Sequence, residues 1–343
     1  MLTLRREQQV GDIPECSSSR AHYARRVELP WQVPLMQAPV GPAATPELVA
    51  AVSSAGALGT LAASWTPVGQ LREQVRGLRS MMSAPFCVNL VLAFEQRERL
   101  AVALEEGAPI VSFSWGAHQE LISLTRGAGA YVLVQVGDLR DATDAVHAGA
   151  DGLIVQGREA GGHVQATRPL GELLRDIRSR VRTPLLAAGG IADPASVKEA
   201  AHAGADAVAC GTMFLAADEA DVHPRYLERL IEAGARDTTV TTAFDGGWPD
   251  APHRVLWNTT VVEWEAAGKP LRGFRPGEGE SVALRRGHRV LRFDSAQPTR
   301  DTVGDVELMA MYAGTSVRAV TGRESARGIV DRLTKSFVSA SLG

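Results

Sequence analysis

Cysteine is scarce in this sequence, and its three copies exclude two kinds of structure. Cys16, Cys87 and Cys210 are odd in number and widely spaced along 343 residues. A disulfide scaffold needs an even set, and a zinc site needs ligands a few residues apart. The sequence therefore predicts no disulfide framework and no metal site, a pattern typical of the reducing cytoplasm.

Long apolar runs and a strong charge of one sign are also absent. No segment approaches the roughly 18 apolar residues of a membrane helix. The 36 Lys and Arg residues against 39 Asp and Glu leave a net charge of −3. The missing apolar runs argue against a membrane protein, and the charge balance argues against a broad nucleic-acid or polyanion-binding surface.

The chain divides into three parts by pattern. Residues 1–28 contain Arg and Ser but lack the apolar core of a signal peptide, so we expect a poorly ordered leader. Residues 29–217 carry a regular strand–helix rhythm, which predicts the core domain. Residues 218–343 differ, and we expect a partly helical extension that caps the mouth of this domain and closes it.

Within the extension we expect four segments. They are a short β-like stretch at 238–244, a helix at 258–267, a Gly-, Pro- and Arg-rich loop or small excursion at 272–300, and a closing amphipathic helix at 325–342.

Eight apolar strands alternate with helices in the core domain. The predicted strands are 33–37, 58–62, 86–90, 109–113, 131–136, 151–155, 184–188 and 207–210. Thr45-Pro46, Thr66-Pro67, Asp138 and Asp193-Pro194 are typical starts of the intervening helices. Several helices end in Ala-Gly-Ala, where a left-handed glycine stops the helix just before the next strand.

Apolar strands separated by helices indicate an α/β fold with a parallel sheet covered on both faces. Eight units favour a closed (β/α)₈ barrel, and an open doubly wound sheet is the alternative. The Gly-x-Gly-x-x-Gly pattern of a dinucleotide fold is missing after the first strand. We therefore expect the barrel.

The segment from Gln156 to His163, Gln-Gly-Arg-Glu-Ala-Gly-Gly-His, follows the sixth predicted strand. Its glycines allow the backbone to come close to a flat or anionic group, and His163 is the group there that can exchange a proton near neutral pH. We interpret His163 as a catalytic base, with a structural hydrogen-bonding role as the alternative. Glu159 is expected to fix the loop by accepting backbone hydrogen bonds.

Two further turns predict a phosphate site. Ala188-Gly189-Gly190 follows the seventh strand and Gly211-Thr212 follows the eighth, where barrels often bind phosphate. Both expose backbone N–H groups, and the first leads into a helix N-terminus, which favours an anion. The alternative is that these glycines only form tight turns.

Several motifs together resemble the nitronate monooxygenase (2-nitropropane dioxygenase) family. They are QGREAGGH, AAGGIAD after strand seven, CGTMFLA after strand eight, DTTVTTAFDG beyond it, QAPVGPAATPELVAAVSSAGALG near the start, and FCVNL at strand three. The likeness covers about residues 29–342. It implies an FMN-dependent barrel that oxidises alkyl nitronates with O₂ to a carbonyl compound and nitrite.

The resemblance also implies roles for individual residues. Gly189, Gly190, Gly211 and Thr212 would hold the FMN phosphate, and His163 would act as base or would polarise the nitro group. The residues implied to surround the flavin ring and ribityl chain are Ala38, Pro39, Val40, Asn89, Gln135, Gln156, Ala160, Gly161 and Ala188. Trp115 and His118, which follow strand four, are expected to line the substrate pocket.

Three positions depart from the family pattern. Val40 stands where Met is usual, Gln135 where Lys is frequent, and Gln165 where Gly is usual. A lysine at 135 would stabilise negative charge on the flavin's N1–C2=O edge, and a neutral Gln would do so less well. Gln165 bears on the shape of the substrate pocket.

Other functions remain open on the sequence. An FMN- and NAD(P)H-dependent enoyl-thioester reductase has a similar barrel and a similar Glu-x-Gly-Gly-His turn. A flavin-binding protein without turnover and a tailoring oxidase for an amino- or nitro-bearing metabolite are further alternatives. Exposed barrel helices also allow a homodimer.

Overall fold

The computed structural model describes residues 28–340, with side chains up to residue 335. The predicted leader and Cys16 therefore lie outside the described residues. The strands of the core domain are β1 (Leu35–Gln37), β2 (Gly59–Ala62), β3 (Phe86–Val91), β4 (Ile110–Ser114), β5 (Tyr131–Val136), β6 (Gly152–Gln156), β7 (Gly162–His163), β8 (Leu185–Ala188) and β9 (Ala207–Cys210).

All of these except the short β7 form one parallel sheet in the order β1-β9-β8-β6-β5-β4-β3-β2. A bridge between Met36 and Leu58 joins the two outer strands. The Gln37 N–H donates to Leu58 O and the Leu58 N–H to Leu35 O, both at 2.9 Å. The sheet is thus closed, which confirms the predicted barrel.

Helices cover the outside of the barrel and continue into the extension. They are α1 (Pro46–Ser54), α2 (Val68–Met81), α3 (Arg97–Glu105), α4 (Gln119–Gly127), α5 (Leu139–Ala148), α6 (Leu170–Arg180), α7 (Pro194–His202), α8 (Thr212–Leu215), α9 (Pro224–Glu232), α10 (Thr259–Ala266) and α11 (Ala326–Ala340). The Thr45, Asp138 and Asp193 side chains cap α1, α5 and α7 as predicted. Thr66 does not cap α2, because that helix starts at Val68 after Pro67.

The barrel interior is filled at its N-terminal end. Met36, Leu58, Ile110 and Leu186 belong to one buried apolar cluster inside the strands. Trp31 packs against this cluster and meets Tyr131 edge-on at 6.5 Å between ring centroids. With this end closed by apolar side chains, the open end of the barrel is the one at the C-terminal ends of the strands.

The extension adds two small antiparallel sheets. β10 (Thr238–Thr241) and β11 (His253–Leu256) join β7 in the order β10-β11-β7. β12 (Ser281–Arg285), β13 (His288–Leu291) and β14 (Val303–Gly304) form the order β13-β12-β14. The segment 272–300, expected as a loop or a small excursion, contains a β-hairpin, and the Gly and Arg content of the segment obscured its strands. The closing helix α11 packs against α1 and α7.

A substitution at Gly59 tests how closely β2 packs on the first helix. A Cβ at this position would overlap the carbonyl oxygen of Val49 in α1. We expect Gly59→Ala to lower the free energy of unfolding by about 1–3 kcal/mol, the usual cost of overpacking. Denaturant unfolding of the purified protein measures this difference.

Gly77→Ala is the matched control. Gly77 lies in α2, and a Cβ added there would have no neighbouring atom within 4 Å. Alanine there should stabilise the protein by about 0.5–1 kcal/mol, because glycine is a poor helix former. Equal effects of the two substitutions would contradict the predicted packing at Gly59.

Candidate active site

A cavity of about 800 Å³ opens at the C-terminal ends of the strands. This volume lies within the usual range of ligand sites. The sequence-predicted residues that line it are Ala38, Pro39, Val40, Asn89, Trp115, Gln135, Gln156, Ala160, Gly161, His163, Ala188, Gly189, Gly190, Gly211 and Thr212. His118 does not: it is exposed at the N-cap of α4 and is not among the lining residues.

The turns after β8 and β9 form a glycine-lined cradle in one wall of this chamber. Gly189 and Gly190 both have positive φ, 115° and 72°. A Cβ on Gly189 would stand 2.9 Å from the backbone nitrogen of Ala160. The Thr212 hydroxyl accepts a hydrogen bond from the Gly314 N–H at 2.9 Å. The conformation thus requires glycine and leaves backbone on the chamber wall, where a flat or anionic group can approach.

Amide side chains from three strands stand at the mouth. Gln156 spans the loop after β6: its Nε2 donates to His163 O at 3.0 Å and its Oε1 accepts from the Gln165 N–H at 2.9 Å. Gln135 Nε2 donates to Gln165 Oε1 at 2.8 Å. Asn89 Nδ2 donates to Ser112 Oγ at 3.0 Å. Gln135 and Gln165, two of the departures from the family pattern, are therefore direct partners.

The loop that carries His163 is fixed from the extension as well. β7 pairs with β11, and His163 stands opposite His253. Arg254 donates to the Arg158 carbonyl oxygen at 2.8 Å. Glu159 Oε2 accepts from the Leu170 N–H at 3.1 Å, so it fixes the loop as the sequence indicated.

The His163 ring lies among aromatic side chains. It stacks on Trp248 with a centroid distance of 4.2 Å and an interplanar angle of 19°. Trp115 and Tyr312 lie at 6.4 and 5.7 Å. Its Nε2 is buried and has no hydrogen-bond partner among residues 28–335.

This environment determines the charge of His163. Burial, with a smaller contribution from His253, lowers its pKa to about 3. His253 itself accepts from the Phe244 N–H through Nε2, so its Nδ1 carries the proton that pairs with Ala251 O at 2.9 Å. The ring of His163 is therefore neutral at neutral pH.

Sequence reasoning did not find Trp248 and Tyr312. Both belong to the extension, where no periodic pattern relates them to the barrel motifs. Tyr312 donates from its hydroxyl to Ser295 O at 2.9 Å, and burial raises its pKa. It is a neutral wall residue in this site. In the sequence, the features that could have pointed to these two residues are the aromatic side chains of the segments 246–248 (Gly-Gly-Trp) and 311–312 (Met-Tyr).

The two described cysteines are structural. Cys87 and Cys210 are buried, and desolvation raises the pKa of each thiol to about 12. Within residues 28–335 no group of His, Cys, Asp or Glu side chains is placed to hold a metal ion. Across the described helices, none is long and apolar enough to cross a membrane.

A barrel with a glycine cradle, amide groups and a neutral histidine at its mouth is the arrangement of a flavin oxidoreductase. The residues present fit such a group: the cradle excludes side chains, and the amides supply donors and acceptors for a polar ring edge. The family model for nitronate monooxygenase matches residues 27–97 and 92–336. The chain belongs to the nitronate monooxygenase family and is an enzyme of the flavin oxidoreductase type.

Similar proteins carry several different names. The chain is 35% identical, over 74% of its length and 71% of the relative, to a (3aS,4S,5R,7aS)-5-hydroxy-7a-methyl-1-oxo-octahydro-1H-indene-4-carboxyl-CoA dehydrogenase of Mycobacterium tuberculosis. It is 32% identical to a nitronate monooxygenase of Paraburkholderia phytofirmans, over 62% of this chain and 71% of that protein.

Two solved structures are similar over nearly the whole fold. FabK from Thermotoga maritima has a TM-score of 0.75 at 31% identity and covers 90% of this chain and 94% of its own. A nitroalkane oxidase from Streptomyces ansochromogenes has a TM-score of 0.71 at 27% identity, with 91% and 97% coverage.

The depressed pKa of His163 predicts a pH-dependent stability. The unfolded chain binds a proton at this ring below about pH 6.5, whereas the folded chain does not until about pH 3. The stability contribution of this ring is thus complete above pH 6.5 and is lost as the pH falls towards 3, by at most about 1.4 kcal/mol per pH unit.

Replacement of the ring tests this linkage. We expect His163→Asn to lose less stability than the wild type between pH 6.5 and 4, measured by urea unfolding of the protein without bound flavin. His118→Asn, at an exposed position, serves as the control and should follow the wild type. Identical pH profiles for wild type and His163→Asn would contradict a buried, neutral His163.

Proposed function

We propose that this chain binds FMN and oxidises alkyl nitronates with O₂ to a carbonyl compound and nitrite. The FMN phosphate would lie on Gly189, Gly190, Gly211 and Thr212. The positive φ of the first two residues supports this placement, because they leave backbone rather than side chains at the cradle. The flavin ring would extend from there over Ala38–Val40 towards the amides of Asn89, Gln135 and Gln156.

The observation that carries the proposal is the neutral ring of His163 on the chamber wall, whose Nε2 has no hydrogen-bond partner among the described residues. A neutral imidazole can donate its N–H to a nitronate oxygen. It can also accept the α-proton of a nitroalkane, because the nitronate anion formed beside it raises the pKa of the ring above the value of about 3. Bound FMN would supply the electron acceptor and the route to O₂. Trp115, Trp248 and Tyr312 would exclude water around the substrate and strengthen these polar contacts.

Gln156 has a positioning role in this proposal. It bonds to the carbonyl of His163 and to the N–H of Gln165, so it fixes the backbone on both sides of Val164. Gly161 lets the same loop approach Gly314 so closely that a Cβ would overlap that residue's nitrogen. The direction of the imidazole is thus determined by backbone contacts.

An anaerobic experiment tests the reaction. Propyl-1-nitronate, added without O₂ to the FMN-loaded protein, should remove the flavin's visible absorbance, and NADPH should not. His163→Gln should slow the reaction with neutral nitropropane about 10²-fold or more, because a general base contributes that much. The exposed His118→Asn should react like the wild type. A flavin that responds to neither nitro compound would disprove the nitronate proposal.

A second candidate is flavin-dependent oxidation or reduction of a thioester. A similar protein acts, by its name, on a carboxyl-CoA compound. In this reaction His163 would hydrogen-bond or deprotonate the acyl chain next to the carbonyl. Loss of flavin absorbance with NADPH alone, or with an acyl-CoA alone, would favour this candidate.

Gln135 should lower the flavin's reduction potential relative to a lysine. Its Nε2 bonds to Gln165, and no lysine lines the chamber among the described residues. A cation would stabilise a reduced, negatively charged ring. We expect Gln135→Lys to raise the midpoint potential by about 30 mV or more, which is tenfold in the two-electron equilibrium.

The control for this change is Gln135→Met, which removes the amide without adding charge and should shift the potential much less. Dye-equilibration titrations of the FMN-loaded variants measure both values. A lower or unchanged potential in Gln135→Lys would contradict a flavin ring next to β5.

A further inference from the structure

The fixed cations of the chamber stand together at its rim. Among the described lining residues, the arginines are Arg285 and Arg286, and no lysine is present. They are neighbours at the tip of the β12–β13 hairpin, on the extension. The glycine cradle is built on different loops, those after β8 and β9.

Arg285 is half-buried and keeps most of its donors available. Its Nη1 donates to Gln297 O at 3.0 Å, and within residues 28–335 it forms no ion pair. A guanidinium has five N–H donors, so several remain. Burial and the positive charge of Arg286 lower the pKa of Arg285, against the opposite effect of Asp301, Asp221 and Asp294.

Those three carboxylates already have other donors. Asp221 accepts from the Arg300 N–H at 2.9 Å, and Asp294 from the Leu291 N–H at 2.7 Å. The Thr299 hydroxyl donates to Asp301 at 2.6 Å. Arg285 therefore has no carboxylate in direct contact. A bound anion would give this half-buried guanidinium a counter-ion and charge-assisted hydrogen bonds.

The backbone of Arg286 has a left-handed conformation that is unfavourable for arginine. It has φ 51° and precedes Gly287 with φ 78°, and these two residues connect the paired Arg285 and His288. Positive φ at both positions is the type I′ hairpin turn, which selects Asn, Asp or Gly at the first one. Its contact with Asp301 is 3.7 Å long and largely exposed, so it is a weak ion pair.

The hairpin is held in place over the chamber. Gln297, which accepts from Arg285, donates through Nε2 to Val40 O at 3.0 Å. Val40 lies in the loop after β1, under the proposed flavin ring. The two arginines thus have a defined position relative to the chamber.

We propose that Arg285 and Arg286 bind a phosphate ester on the outer part of a substrate or co-substrate whose reacting end enters the chamber. Two adjacent guanidinium groups match the oxygens of a phosphate monoester. The site is separate from the cradle assigned to the flavin phosphate. This inference goes beyond the proposed oxidation, which needs no phosphate apart from that of FMN.

Paired ligands that differ by one phosphate test the site. Coenzyme A is compared with dephospho-coenzyme A, and NADP⁺ with NAD⁺, by calorimetric titration of the FMN-loaded protein. At least one phosphorylated member should bind tenfold or more tightly than its partner. The pair that shows the difference identifies the source of the phosphate, and equal binding within both pairs would overturn the proposal.

Variants locate the effect on the hairpin. Arg285→Gln and Arg286→Gln should each abolish most of the tenfold preference. Arg289→Gln, an exposed arginine of the same hairpin outside the chamber lining, should keep it. Loss of the preference in Arg289→Gln as well would show only a general charge effect and would overturn the site.

Arg286→Gly separates binding from folding. Glycine suits the positive φ, so the variant should be as stable to heat as the wild type or more so, yet should lose the phosphate preference. FMN affinity must stay unchanged in all these variants. A tenfold loss of FMN affinity in Arg285→Gln would assign the arginines to the flavin and would disprove the separate site.

Discussion

The antiparallel pairing of β7 with β11 is the contact on which the site depends. It joins the loop after the sixth barrel strand to the C-terminal extension and places His163 opposite His253. The same segment of the extension then carries Trp248 to the face of the imidazole. Without this pairing the ring would be solvated and free to rotate, and it would titrate like an ordinary histidine.

Burial explains why a histidine is a more favourable residue than a carboxylate on the wall of this chamber. An ionised carboxylate placed among Trp115, Trp248 and Tyr312 would be desolvated without a partner, at a high free-energy cost. An imidazole is neutral there and still has one hydrogen-bond donor and one acceptor. The loop glycines complete this arrangement, because they bring backbone rather than bulk to the proposed flavin.

The barrel could be predicted from the sequence because each of its units is local. A strand, an N-cap such as Thr45 or Asp193, and a glycine at the helix end are all read within about twenty residues. The glycine turns, His163 and Trp115 could be placed at the chamber for the same reason, since the C-terminal ends of parallel strands meet at one mouth, whereas the remaining chamber residues came from the resemblance to the family. His118 was expected in the pocket, but it is the exposed N-cap residue of α4 and does not line the cavity, whereas Trp115, three residues earlier, does. The β12–β13 hairpin, Trp248 and Tyr312 failed because their positions depend on pairings between segments far apart in the chain.

The distribution of these segments also has a consequence for biosynthesis. The chamber is lined by residues from Met36 to Ser316, so nearly the whole chain must be present before it exists. The helix α11 packs on α1 and α7, which lie close together around the barrel although they are far apart in the sequence. A ribosome that has released only the eight strands has therefore made an incomplete pocket with an exposed imidazole. Ligand binding in the complete chamber therefore has to wait until the segment up to Ser316 has been synthesised and has packed on the barrel.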